Sequence, residues 1–141
     1  MRVVLDTNTL ASGALAYSGP PASSILDAWR DAAFILIVSE DIIDELTTTL
    51  SKPYFAARLA PEDTAAFLEL LSTAATIVGV EGTVAGIATH PEDDRILECA
   101  VAANASYLVT GDKELQEIGN FQGVEIMSPR AFLDVLAASS E

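Results

Sequence analysis

The chain of 141 residues is poor in the side chains that many chemistries depend on. It has one cysteine, Cys99, and one histidine, His90, so an internal disulfide is impossible and a zinc site built on Cys and His ligands is disfavoured. Cys99 falls in a helical pattern and reads as a small buried hydrophobe, the alternative being a reactive thiol. Lys and Arg number 7 against 21 Asp and Glu, a net charge of −14. Most of those acids read as solubilising surface, but the balance argues against a broad basic face for nucleic acid. A polyanionic substrate would need bound divalent cations, a basic partner or a neighbouring subunit to offset the repulsion. Aromatic residues make up 6% of the chain, so Ala, Leu, Ile and Val must fill the core, and a hydrophobic content of 50% allows it. No apolar run reaches about 18 residues, the length a membrane span needs. The first apolar run is cut by Asp6, unlike a signal peptide. A single cytosolic domain over residues 1–141, with no membrane association, is expected. The chain also lacks a P-loop, a Gly-x-Gly-x-x-Gly fingerprint and a Ser nucleophile elbow.

What is present is an alternation of buried strands and amphipathic helices. Val3 to Leu5 reads as a strand covered on both faces, ending abruptly in Asp6 and a polar turn. A loop with Gly13, Gly19, Pro20 and Pro21 follows. A helix over residues 22–32 then carries Ile25, Leu26 and Trp29 on one stripe. Phe34 to Val38 is a second buried strand. Ser39 is a candidate N-cap, with Glu40 and Asp41 in the first turn where the helix dipole favours acids. In that helix Ile42, Ile43, Leu46 and Leu50 form the apolar face. At about 100° per residue, Asp44 points away from the core and Glu45 lies at the border of the stripe. Residues 51–59 read as a connector. Pro61 opens a helix to about residue 74, residues 76–80 form a short edge strand, and residues 81–89 a loop. A helix begins near Pro91, a strand spans 107–109, a short helix 113–118, a strand 124–126, and a last helix follows Ser128 and Pro129. This order implies right-handed crossovers and a parallel sheet with helices on both faces.

Acids recur where strands end. Asp6 follows the first strand and Asp112 follows residues 107–109. Asp93 and Asp94 open the helix that feeds the latter strand, and Glu45 borders the helix after the second. Singly, each has an ordinary explanation: helix-terminal charge, a Gly-Asp turn, a solvated helix face. Together they matter more, because apposed unpaired carboxylates repel and raise one another's pKa. A hard cation with oxygen ligands relieves this, and Mg²⁺ keeps several waters, so a few carboxylates suffice. Metal-assisted hydrolysis of a phosphodiester is the chemistry that fits.

Three stretches resemble a known family. Val4-Leu5-Asp6-Thr7-Asn8 is similar to the opening motif of the PIN-domain nucleases. Val38-Ser39 followed by Asp44-Glu45-Leu46 is similar to their second motif. His90-Pro91-Glu92-Asp93-Asp94-Arg95, through Tyr107-Leu108-Val109-Thr110-Gly111-Asp112-Lys113, is similar to their third and fourth. The nearest subgroup is the small bacterial and archaeal PIN proteins described as toxins of toxin–antitoxin pairs. The resemblance covers nearly the whole chain. It implies a three-layer α/β/α sandwich with a central parallel β-sheet. It also implies a Mg²⁺- or Mn²⁺-dependent endoribonuclease with an antitoxin partner, often a homodimer. By motif match Asp6, Glu45 and Asp112 take metal positions, while Asn8, Thr110 and Ser39 orient ligands or water. The fourth acid stays open between two neighbours. Spacing to Thr110 favours Asp94, whereas helical phase with Ile96, Leu97 and Ala100 favours Asp93 pointing inward. His90 stands where relatives often carry an acid.

Two other classes fit less well. A PIN-like module that binds a partner without catalysis would suit the acidic surface. A doubly wound phosphatase with Asp6 as nucleophile would want a second Asp two residues on, where this chain has Asn8. Lys52, Tyr54 and Arg58 gather scarce basic and aromatic groups in one connector, either for substrate or as solvated surface with Tyr54 packed on the core.

Overall fold

A computed structural model describes residues 1–15, 21–80, 85–88 and 90–139. The expected loop residues Gly19 and Pro20, and residues 81–84 and 89 of the expected loop over 81–89, lie outside the described residues.

The apolar runs form the sheet. Strands β1 (Arg2–Leu5), β2 (Ile35–Ser39), β3 (Thr76–Val78), β4 (Tyr107–Val109), β5 (Asn120–Phe121) and β6 (Val124–Met127) lie in the order β3-β2-β1-β4-β6-β5. Val3, Val4 and Leu5 are fully buried, as are Leu36, Ile37, Val38, Leu108 and Val109, because helices cover both faces of these central strands. Val4 pairs with Ile37 on one side and Leu108 on the other, both in parallel. The chain steps outward from β1 through β2 to β3, then crosses back to β4 on the opposite side of β1. The connections therefore reverse direction between β1 and β4.

The helices are α1 (Thr7–Ala14), α2 (Ala22–Arg30), α3 (Glu40–Leu50), α4 (Pro53–Ala56), α5 (Pro61–Ala74), α6 (Pro91–Ala102), α7 (Lys113–Ile118) and α8 (Pro129–Ser139). With the sheet they make a three-layer α/β/α arrangement. As expected, Ser39 caps α3 by accepting the Ile42 N–H at 3.2 Å. Proline opens α5 and α6, where a missing N–H leaves no helical bond unmade. No described helix is long and apolar enough to cross a membrane. Cys99 is buried, and burial pushes its thiol up to about 12, so it stays protonated and packs as a hydrophobe.

Two sequence expectations need correction and one needs an addition. The turn and loop expected after Asp6 contain an eight-residue helix, α1. Its Thr, Ser and Gly content is weak for a helix, and tertiary packing supports it instead. Leu10 and Ala11 are fully buried, and Gly13 lies so close to α2 that a Cβ there would sit 2.4 Å from Leu26 Cδ1. The expected parallel sheet is present over five strands, and the strand not expected, β5, adds an antiparallel edge beside β6. Gln122 and Gly123, with φ of 50° and 89°, make the two-residue turn between them, the backbone a tight hairpin requires. The connector after α3 contains the short helix α4, and Tyr54 on it is exposed rather than packed on the core.

Phe132 of α8 is fully buried, edge-on to Phe34 at 5.4 Å and 5.8 Å from the Tyr107 ring. Phe132→Ala is expected to remove about 3–5 kcal/mol of unfolding free energy. Urea denaturation followed by circular dichroism measures this; a loss below about 1 kcal/mol would mean that α8 does not seal this part of the core.

Candidate metal-dependent active site

The reversal between β1 and β4 sets the site, because open α/β sheets bind ligands outside the strand ends at such a point. Leu5 pairs with Val109, so the next residues of each strand, Asp6 and Thr110, stand side by side. The Asp6 N–H extends the ladder to the Val109 carbonyl at 3.1 Å. The Thr110 hydroxyl then donates to Asp6 Oδ2 at 2.6 Å, and the Asp112 N–H donates to Thr110 Oγ1 at 3.0 Å. Asp6 Oδ1 accepts the Thr9 N–H at 2.8 Å, capping α1. Asp6 is 7% exposed and Thr110 fully buried, so the carboxylate is held by donors from two elements. Asp112 caps α7 by accepting the Glu114 N–H at 2.8 Å.

Asp6, Thr7, Asn8, Glu45, Asp93, Ile96, Gly111 and Asp112 line one cleft of about 370 Å³. Four carboxylates from four separate parts of the chain thus face a common space that no Lys or Arg lines. Among the described residues the one ion pair, Arg30 with Asp27 at 3.5 Å, is exposed on α2. A groove of about 450 Å³ between Trp29, Phe34, Leu70 and Ala74 is larger, but Arg30 is its single charged lining residue. Chemistry, not volume, distinguishes the acidic cleft.

Placement separates the two neighbouring acids. Asp93 lines the cleft, while Asp94 does not. The Asp94 carboxylate accepts the Gly86, Ile87 and Ala88 N–H groups at 3.0, 3.1 and 2.7 Å. Asp94, at 5% exposure, is the more buried of the pair, while Asp93, the one helical phase favoured, is the one at the cleft. Asn8 is exposed at the cleft. Ser39 is elsewhere: it caps α3, bonds the Cys99 thiol and lines a neighbouring surface hollow with Ile77 and Gly79. His90 is exposed at the start of α6 and caps nothing with its side chain. Tyr54 and Arg58 stack on each other, with the guanidinium 3.8 Å from the ring centroid, and neither they nor Lys52 line the cleft. Thr7 is a lining residue that sequence reasoning missed. The signal was its place just after an acid that caps a helix, hidden because α1 itself was not expected.

The donor set is all oxygen, which suits Mg²⁺ or Mn²⁺ and not a soft metal. Among the described residues no three acid, His or Cys side chains converge into a ready-made metal cage. A loosely lined cleft is compatible with an ion that keeps part of its water shell. Thr7 Oγ1 also fits a polar ligand, since it is buried on a cleft-lining residue and has no hydrogen-bond partner. An unpaired buried hydroxyl is destabilising by about 1–3 kcal/mol, a burden a ligand or ordered water would relieve.

Comparison with known proteins follows the same direction. No curated protein matches. Among solved structures, a chain in the crystal structure of VapBC2 from Rickettsia felis bound to a DNA fragment from their promoter is similar, with a TM-score of 0.59. Identity is 18%, and the match covers 91% of this chain and 98% of that one, which makes it a likeness of fold. The family model described as PIN domain matches residues 2–114. With most of its length matched, including every residue of the acidic cleft, the chain belongs to the PIN-domain family.

Proposed function

We propose that this protein is a Mg²⁺- or Mn²⁺-dependent endoribonuclease, acting as the toxin of a toxin–antitoxin pair. The observation that carries the reading is that Asp6, Glu45, Asp93 and Asp112 all line one cleft without a basic residue in its lining. Membership of the PIN-domain family, whose members are in general nucleases, supports hydrolysis of a phosphodiester. Likeness to a chain of a VapBC2 structure supports an antitoxin partner. A homodimer in the cytoplasm completes the proposal.

Asp6, Glu45, Asp93 and Asp112 would hold the ion. Asp93 takes the place left open between it and Asp94, because the Asp94 oxygens already accept three backbone amides. When bound, the ion would polarise the phosphate and lower the pKa of a bound water. The chain's own groups do the rest. Thr110 holds Asp6 through Oδ2 and the Asp112 backbone through its N–H, so one hydroxyl links the supports of two of the acids. Asn8, exposed at the cleft, offers an amide to hydrogen-bond a phosphate or sugar oxygen. The unpaired Thr7 hydroxyl offers another.

Asp6→Asn keeps an acceptor for the Thr9 amide, so the cap and fold are expected to survive. RNA cleavage should fall by about 100-fold or more, the order seen when one preorganised electrostatic group is removed. Cleavage of a fluorogenic RNA in Mn²⁺, with a DNA of the same sequence as control, measures it; an Asp6→Asn protein that cuts RNA at the wild-type rate would sink the assignment.

Mn²⁺ should raise the melting midpoint of the wild type and leave that of Asp6→Asn unchanged. At 100 times Kd the stabilisation is about 2.7 kcal/mol. Equal melts with and without Mn²⁺ would favour a non-catalytic PIN-like module instead.

A further inference from the structure

Asp94 has no part in the proposed reaction, yet it is one of the most completely engaged acids in the protein. Its carboxylate gathers three consecutive backbone amides, Gly86 on Oδ2 at 3.0 Å, Ile87 on Oδ1 at 3.1 Å and Ala88 on Oδ1 at 2.7 Å. Successive N–H groups turned onto one anion form a nest, and a left-handed residue lets them converge. Gly86, with φ of +74°, is that residue. Acids in a first helical turn ordinarily serve their own helix. This one reaches back out of α6 to a segment six to eight residues earlier. A carboxylate 5% exposed is costly to keep from water, and three charge-assisted hydrogen bonds offset that cost.

The segment it grips adjoins the cleft. Ile87 and Ala88, with Asp93, Glu114, Leu115 and Ile118, line a small cavity of about 50 Å³. Asp93 lines both this cavity and the acidic cleft. Glu114, Leu115 and Ile118 belong to α7, the helix that Asp112 caps. Ile87 and Ala88 therefore share one small cavity with the start of α6, which carries Asp93, and with the helix anchored by Asp112.

We propose that Asp94 is a positioning residue: by clamping residues 86–88 beside α6 and α7 it sets the placement of Asp93 relative to Asp112, and with it the affinity of the cleft for a divalent ion. The inference rests on the nuclease reading of that cleft. It also makes the two adjacent acids different in kind, Asp93 facing the ligand and Asp94 holding the wall.

The test uses the full-length protein, Mn²⁺ as probe, and three variants. Asp94→Asn keeps the shape but sets an NH₂ group against backbone donors. Gly86→Ala reaches the same nest from the other side; an added Cβ meets nothing within 4 Å, so only the strained φ is changed. Each is expected to weaken Mn²⁺ binding by about tenfold or more, as outer-shell changes do. The double variant should be no weaker than the worse single one, since both act through one contact. Hydrogen exchange without metal should show faster exchange at the Gly86, Ile87 and Ala88 amides in Asp94→Asn, with β1 and β4 amides unchanged. If Asp94→Asn fails to fold, Gly86→Ala carries the test alone. Wild-type Mn²⁺ affinity in a folded Asp94→Asn or Gly86→Ala protein would overturn the proposal. So would complete loss of binding in Asp94→Asn with exchange at residues 86–88 unaltered, which would make Asp94 a direct ligand. If the wild type neither binds Mn²⁺ nor cleaves RNA, the nuclease reading fails and the positioning role with it, even where exchange still reports the clamp.

Discussion

The parallel pairing of β1 with β4 is the constraint from which the site follows. Once Leu5 lies opposite Val109, the ladder continues one residue further through the Asp6 N–H, and Thr110 is fixed beside Asp6 by its own bond to the Met127 carbonyl at 2.9 Å. The 2.6 Å contact between hydroxyl and carboxylate is thus a product of sheet register, not of loop conformation. A slip of one residue would turn every side chain of the strand to the other face and part the two groups. The core and the site are specified by the same interaction, because Val3, Val4, Leu5, Leu108 and Val109 must all stay buried for that register to hold.

Two of the cleft acids also terminate secondary structure. Asp6 begins α1 and Asp112 begins α7, each by accepting amides that the helix itself leaves unpaired. Such bonds aim a carboxylate, while helix N-termini supply partial positive charge. They offset part of the repulsion among the acids without any lysine or arginine entering the cleft. Glu45 differs: it is an exposed residue in the interior of α3, brought to the cleft by helical phase alone.

The sequence was most informative where one physical signal dominated. Continuous apolar runs located β1, β2 and β4, since strands covered on both faces leave no room for polar residues. Pro61 followed by Glu62 and Asp63 marked the start of α5, and Ser39 followed by Glu40 and Asp41 the start of α3. It was least informative where tertiary contact overrode local preference. Helix α1 has little propensity of its own and exists because Leu10 and Ala11 are buried and Gly13 fits against Leu26. Strand β5, two residues long, has no periodicity to read and is defined by its turn. For the site, spacing and phase together narrowed the fourth acid to Asp93 and Asp94 but could not separate them. What sets Asp94 apart in the fold, the Gly86, Ile87 and Ala88 amides, lies in a weakly patterned loop, and backbone amides leave no mark in a side-chain pattern.

The overall charge bears on how a polyanion would meet such a site. At −14, long-range repulsion acts on any nucleic acid, although it is screened beyond about 8 Å at physiological salt. Close to the cleft the repulsion is concentrated, since four acids and no bases line it. Two of the seven basic residues, Arg30 and Arg58, border a different groove with Phe67 and Leu70. On the proposed reading, then, side-chain cations of this chain are not what draws a phosphate into the cleft. That role falls to the bound ion, aided by Asn8 and the amide end of α1, or to basic groups brought by a partner. On that reading an acidic nuclease would depend on its metal for binding as well as for chemistry, and the placement of Asp93 relative to Asp112 would matter more here than on a basic protein.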